Sequence, residues 1–225
     1  MYQLYIANKN YSSWSLRPWV LMQQLQIPFE EMLVPFAGPD DFRAFSPTGK
    51  VPCLIDGGTV VWDSLAITEY LAERFPEVWP ADAAARAWAR CAAAEMHSGF
   101  SDLRNTCTMN CGVRVRLSAF PASLKSDIAR IDALWTEGLV RFGGPFLAGS
   151  AFTAVDAFFA PVAFRVQTYG LELSPMARQY AARLLALAPM QTWYVAALSE
   201  PWREAGHEQE LAQAGSVLQD LRATD

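Results

Sequence analysis

Residues 46–71 read Ser-Pro-Thr-Gly-Lys-Val-Pro-Cys-Leu-Ile-Asp-Gly-Gly-Thr-Val-Val-Trp-Asp-Ser-Leu-Ala-Ile-Thr-Glu-Tyr-Leu, and this run leaves the backbone little choice. Val51-Pro52 is an X-Pro bond, the one kind of peptide bond that adopts cis at modest cost, and Pro52 brings no N–H to a strand ladder. A strand that opens on such a bond turns the N–H and C=O of Val51 sideways, available to a ligand. Cys53-Leu54-Ile55, then Asp56-Gly57-Gly58, then Thr59-Val60-Val61-Trp62 is a hairpin pattern, with glycines supplying a primed turn. Asp63-Ser64 then caps a helix, and the first N–H groups of that helix form an anion site beside Val51. A peptide edge next to a carboxylate site suits a short peptide with a free carboxylate.

The flanking chain frames this run. Residues 2–7 alternate as a strand, a helical run follows through Val20, Leu21 and Leu25, and residues 29–35 form a second strand. Residues 38–45 read as loop or short helix, and the hairpin and the helix over 64–75 complete a βαβ–ββα order. Pro76-Glu77-Val78-Trp79-Pro80 breaks the helix twice within five residues. Beyond it nothing reads as strand. Ala-rich periodic segments are split by Gly112, Pro121, Gly143-Gly144-Pro145, Gly170 and Pro189. Thr153 and Asp156 resemble a capping box with Asp in place of the usual Glu, and the tail after Pro201 reads as polar and loosely packed. The expectation is α/β plus all-α: an N-terminal domain at 1–76, a linker at 77–82 and an all-helical domain at 83–225.

In order and spacing, x-Pro-x-Gly-Lys-Val-Pro-x-Leu followed by acidic-Ser-x-Ala-Ile-x-x-Tyr-Leu resembles the glutathione site of the glutathione S-transferase family. The resemblance implies a thioredoxin-like N-terminal domain that binds glutathione, with the second-substrate pocket in the helical domain. By residue, it implies that Val51 pairs with the cysteinyl backbone, that Asp63 and Ser64 hold the γ-glutamyl end, and that Lys50 lies near the glycyl end. Many members carry Glu or Gln where Asp63 stands.

The implied chemistry needs a thiolate, because a thiol titrating near pH 8.5 is a poor nucleophile. A hydroxyl donating to the sulfur and a helix N-terminus both favour the anion. Serines precede the first helix. If Pro18 occupies the first helical turn, the N-cap falls near Ser15, whose hydroxyl is then committed to the backbone, leaving Ser12 and Ser13 for the ligand. Ser-Ser-Trp-Ser-Leu-Arg is similar to the Ser-Ser-Cys-Ser-Trp-Arg run of the zeta class, in which the first serine activates the thiol. That match places Ser12 first and Ser13 second, with the Tyr11 phenol as a rival donor. Trp14 stands in place of the zeta cysteine, which argues against a zeta-type isomerase and a thiol–disulfide mechanism. Met96, His97, Phe100 and Arg104 recur at helical spacing, and the resemblance implies that this helix faces the sulfur; Phe100 and Arg104 are therefore expected, together with Trp14 from the turn before the first helix, in the second-substrate pocket.

The expected function is a glutathione transferase acting on a small, apolar electrophile. The alternatives are a glutathione-dependent isomerase or reductase of the same fold, and a non-catalytic binding module. Glutathione is the co-substrate, no metal is expected, and the resemblance implies a homodimer. A formal charge of −5 without a basic block argues against a nucleic-acid partner. The N-terminus carries no secretory pattern, and the most apolar region, 151–166, is interrupted by Asp156 and Pro161, so a cytoplasmic protein with no membrane partner is expected. Cys53, Cys91, Cys107 and Cys111 are irregularly spaced and read as reduced thiols.

Overall fold

The computed structural model describes residues 1–36 and 42–223, so part of the 38–45 stretch lies outside the described residues; 42–45 form a turn. Strand β1 (Tyr2–Ile6), helix α1 (Ser13–Gln24) and strand β2 (Phe29–Leu33) make the βαβ unit, with β1 and β2 parallel. Strands β3 (Cys53–Asp56) and β4 (Thr59–Trp62) form the hairpin, and helix α2 (Ser64–Ala72) follows. The sheet order is β2-β1-β3-β4, with β3 antiparallel to β1 so that Leu4 faces Leu54 and Tyr5 faces Cys53. Leu4, Ile6 and Leu54 are fully buried on the face covered by α1 and α2. The Val51-Pro52 bond is cis.

A short 3-10 helix (Pro76–Val78) leads to α3 (Ala83–Ser98), where the Asp82 carboxylate accepts the Ala85 N–H at 2.8 Å as cap. Then come α4 (Ser101–Thr106), β5 (Val113–Leu117), α5 (Ala122–Phe142), α6 (Ala154–Tyr169), α7 (Pro175–Leu185), α8 (Ala188–Ser199), α9 (Ala205–Ala214) and β6 (Gly215–Asp220). Helix α6 is apolar nearly all round, as a helix packed on every side must be, and it lies against α1, α3 and α7. At its start Asp156 accepts from Thr153 N–H at 2.9 Å, Leu147 N–H at 3.0 Å and the Tyr180 hydroxyl at 2.8 Å. Burial pushes its carboxyl up to about 6 against those three bonds.

The C-terminal half is helical with an addition the sequence did not suggest. Val113-Arg-Val-Arg-Leu117 pairs antiparallel with residues 215–220, across about a hundred residues of chain. The two strands approach so closely at Gly215 that a Cβ there would lie 2.1 Å from the Arg116 carbonyl oxygen. From Ala205 to Arg222 the tail is correspondingly fixed rather than loose. Leu211 is buried, and the Arg222 guanidinium grips Glu208 at 2.5 Å and Asp220 at 2.7 Å.

Candidate active site

The loop before α1 is fastened from the helical half. Glu200, itself buried, accepts the N–H groups of Lys9 at 2.6 Å and Asn10 at 3.2 Å; the Trp193 indole donates to the Lys9 carbonyl at 2.8 Å. Asn10 also accepts the Gly112 N–H at 3.0 Å. These bonds leave the 11–13 turn in one place.

Helix α1 begins at Ser13, so the N-cap is Ser12 and not Ser15, and the Ser12 side chain makes no capping bond. Pro18 therefore sits inside the helix rather than in its first turn. The burial of Leu16, Arg17, Val20, Leu21 and Met22 keeps the helix intact despite the hydrogen bond that Pro18 removes. Ser15 is committed, though not as a cap: its hydroxyl accepts from Ala7 N–H at 3.4 Å and from the Ser12 hydroxyl at 2.7 Å. The Ser13 hydroxyl has no hydrogen-bond partner among the described residues. Tyr11 is spoken for, since its hydroxyl donates to Glu208 at 2.8 Å and accepts from Arg222 at 3.3 Å. Burial, followed by the hydrogen bond to Glu208, pushes that phenol well above its ordinary range.

Helix α2 starts differently. Asp63, its N-cap, has φ +73°, a region that a non-glycine residue occupies only under strain, and its Oδ1 accepts the Leu65 N–H at 2.8 Å. Ser64 is fully buried, with the Arg17 guanidinium 3.4 Å from its hydroxyl. Arg17 thus joins the two helix starts. It lies over the Trp14 ring at 4.1 Å and the Phe158 ring at 4.9 Å, and its Nε is buried without a partner. Burial, then repulsion from Arg165 and Arg104, lowers it to about 9, opposed by Asp63.

A cavity of about 780 Å³ opens between the sheet and the helices. Ser12, Ser13, Trp14, Lys50, Val51 and Arg104 all lie on its wall, brought together from three separate stretches of sequence. Neither the N–H nor the C=O of Val51 has a partner among the described residues. Asp63 and Ser64 lie off this wall: Asp63 borders a neighbouring hollow with His97, whose Nε2 is 3.7 Å away, and Ser64 sits beneath the surface. Phe100 is not on the wall either; it is buried in the core at the start of α4 with a left-handed backbone. A larger groove of about 1490 Å³, between α5 and α7, contains none of these residues.

Three residues absent from the sequence reading shape the site. Arg165, on α6, reaches the cavity wall while its Nε donates to the Cys107 carbonyl at 2.8 Å; burial lowers it to about 10. His207, on α9, closes the wall beside Tyr11. Arg17 is the third. Arg165 had a legible signal, a lone cation in the apolar run Phe-Phe-Ala-Pro-Val-Ala-Phe-Arg-Val, whereas His207 lay in an undistinguished polar tail. Arg104 donates to the His97 carbonyl at 3.2 Å, and none of Arg17, Arg104 and Arg165 has a carboxylate within ion-pair distance among the described residues. Buried cations without counter-ions are costly, and an anionic ligand would offset that cost.

Residues 11–74 match the family described as glutathione S-transferase, N-terminal domain, and residues 114–206 match glutathione S-transferase, C-terminal domain. A probable maleylacetoacetate isomerase from Caenorhabditis elegans is 25% identical over 176 residues, spanning 76% of this chain and 82% of that protein. A zeta-class glutathione S-transferase from Euphorbia esula is 32% identical over 124 residues, 54% of this chain and 55% of that one. Among solved structures, a Burkholderia glutathione transferase homologue with bound glutathione superposes with a TM-score of 0.67. It covers 87% of this chain and 97% of its own at 22% identity, a likeness of fold.

Proposed function

The chain belongs to the glutathione S-transferase family of enzymes, and from that premise we propose that it binds glutathione along Val51, ionises its thiol beside Ser12, and transfers the sulfur to a small electrophile carrying an anionic group. The observation that carries this reading is the shared cavity wall, where Ser12, Lys50 and Val51 meet Arg104 and Arg165. In this proposal the backbone of Val51 pairs with the cysteinyl unit, Lys50 attracts the glycyl carboxylate, and Ser64 with Asp63 and Arg17 holds the γ-glutamyl end. Since Ser64 is covered in the free chain, binding entails a local opening at the start of α2.

Ser12 is the proposed sulfur donor because of its partner. A hydroxyl hydrogen rotates, so the Ser12–Ser15 bond can reverse without being lost. Ser15 then donates to Ser12, and the Ser12 proton is released toward the sulfur. Ser13 has no such orienting neighbour. Arg104 and Arg165 favour an anionic electrophile over the apolar one expected from sequence, through charge-assisted hydrogen bonds that an apolar compound cannot make.

The test is calorimetric titration with glutathione, followed by turnover of paired aryl halides with and without a carboxylate. Preference for the carboxylated member supports the reading; glutathione binding without turnover of either would favour a non-catalytic module. The same arginines also suit reversible addition of the sulfur to an unsaturated acid, which is an isomerase reaction. Product analysis separates the two, since a transferase product retains glutathione. We further propose a cytoplasmic homodimer, with exposed Val60 and Trp62 on β4 at the contact. Light scattering that gives a monomer mass across micromolar concentrations would contradict the dimer.

A further inference from the structure

His207 is held more firmly than a helix cap requires. Glu204 caps α9 by accepting the N–H groups of Gly206 at 3.0 Å and His207 at 2.7 Å, which satisfies two of the N–H groups that a helix start leaves open. In addition, His207 Nδ1 lies 2.6 Å from Glu204 Oε2, and the ring is stacked on Tyr11 at 4.8 Å and tilted on Phe36 at 5.1 Å. The next residue, Glu208, anchors the turn to Tyr11 at 2.8 Å, to Arg222 at 2.5 Å and to Asn110 at 3.4 Å. The ring therefore has one orientation, on the wall of the cavity that also holds Ser12 and Arg165.

The tautomer follows from the partner. Despite burial, which raises it, the Glu204 carboxyl is held below its usual range by the N–H groups of His207 and Gly206 and by the ring, so it is an acceptor and Nδ1 is the donor. The nitrogen left to exchange protons is Nε2, which has no partner among the described residues. A ring nitrogen oriented by a carboxylate on its other side is the arrangement that acid–base catalysis uses.

Resting on the transferase reading above, we propose that His207 is the proton donor of the second-substrate pocket, and that the electrophiles it serves are activated alkenes. The thiolate lone pair forms a carbon–sulfur bond to the β-carbon, and the π pair moves to the α-carbon and its carbonyl as an enolate. With Nδ1–H given to Glu204, Nε2 holds a proton only after the ring takes up the one lost by the glutathione thiol; that Nε2–H bond then breaks with its electron pair left on nitrogen, the proton goes to the enolate, and the ring returns to its Nδ1–H form. Aryl halide substitution expels a halide and needs no such proton, so the two reaction types separate the role of His207 from a role in the shape of the pocket.

The experiment compares kcat/KM for an α,β-unsaturated ketone and an aryl halide, each bearing a carboxylate, in the wild-type chain, His207→Gln and Glu204→Gln, with glutathione affinity measured by calorimetry to verify folding. The ketone-to-halide ratio is expected to fall roughly 100-fold in His207→Gln, the scale of general acid catalysis, and about ten-fold in Glu204→Gln, where the ring loses its orienting carboxylate. Equal falls for both substrates, or an unmoved ratio, would overturn the proposal and leave the transferase reading standing. A wild-type chain inert toward both substrates would overturn that reading, and the proposal with it.

Discussion

Two helix starts meet at Arg17, and their first turns are built on opposite principles. At α2 the cap is a carboxylate in a strained backbone that spends one oxygen on Leu65 N–H, and the serine after it is buried against an arginine. At α1 no side chain caps the helix; Ser12 hydrogen-bonds to Ser15, Ser15 also accepts from Ala7 N–H, and Ser13 has no partner among the described residues. In the proposed function the contrast corresponds to different ligands. The α2 start concentrates fixed positive charge, from its N–H groups and from Arg17, as a carboxylate requires. The α1 start keeps a rotatable hydroxyl uncommitted to the backbone, which a sulfur that changes charge during the reaction requires.

Removing the charge behind α2 is expected to have the largest effect. Arg17→Met keeps bulk between Trp14 and Phe158 but deletes a buried, unpaired cation. Thermal unfolding should show the free chain more stable by about 1 kcal/mol or more, while calorimetry shows glutathione affinity down by about 3 kcal/mol, roughly 100-fold. Loss of both stability and affinity would mean that Arg17 is structural. Next is Ser64→Ala, which removes one charge-assisted hydrogen bond and should weaken glutathione roughly ten-fold or more. An unchanged affinity would place the γ-glutamyl end elsewhere and dissolve the contrast. Asp63→Gly should have the smallest effect, relieving the φ strain for about 1 kcal/mol while weakening the cap by a few tenths. A slightly raised melting temperature with a several-fold weaker glutathione affinity would sharpen the view that the strain serves binding.

The α2 side of this contrast was legible in the sequence because its signals are local. Two glycines between β-rich runs fix a hairpin, and an acidic-Ser pair before an apolar run fixes a helix start, whatever lies elsewhere in the chain. The α1 side was legible only in part. Placing Pro18 in the first turn follows sound local chemistry and moves the cap to Ser15, yet the burial of α1 against α6 outweighs one lost hydrogen bond. The pairing of Val115 with Val217 and the seat of His207 on Tyr11 depend on contacts across about 100 and 200 residues, respectively, for which no local pattern exists. Phe100 lies off the wall for a related reason: the chain leaves α3 at Gly99 and Phe100 precedes α4 with a left-handed backbone, so the helical spacing read through it is interrupted there.

In the proposed mechanism the Ser12 hydroxyl, turned outward by Ser15, favours the thiolate of bound glutathione. The direct measurement is the ultraviolet absorbance of the thiolate against pH in the glutathione complexes of the wild-type chain, Ser12→Ala, Ser15→Ala and Ser13→Ala. Ser12→Ala should raise the thiol pKa by about one unit, equivalent to 1.4 kcal/mol, with glutathione affinity nearly intact. Ser15→Ala should raise it by less, and Ser13→Ala least of all. A titration that stays in place in Ser12→Ala and moves in Ser13→Ala would rule out Ser12 and transfer the role to Ser13.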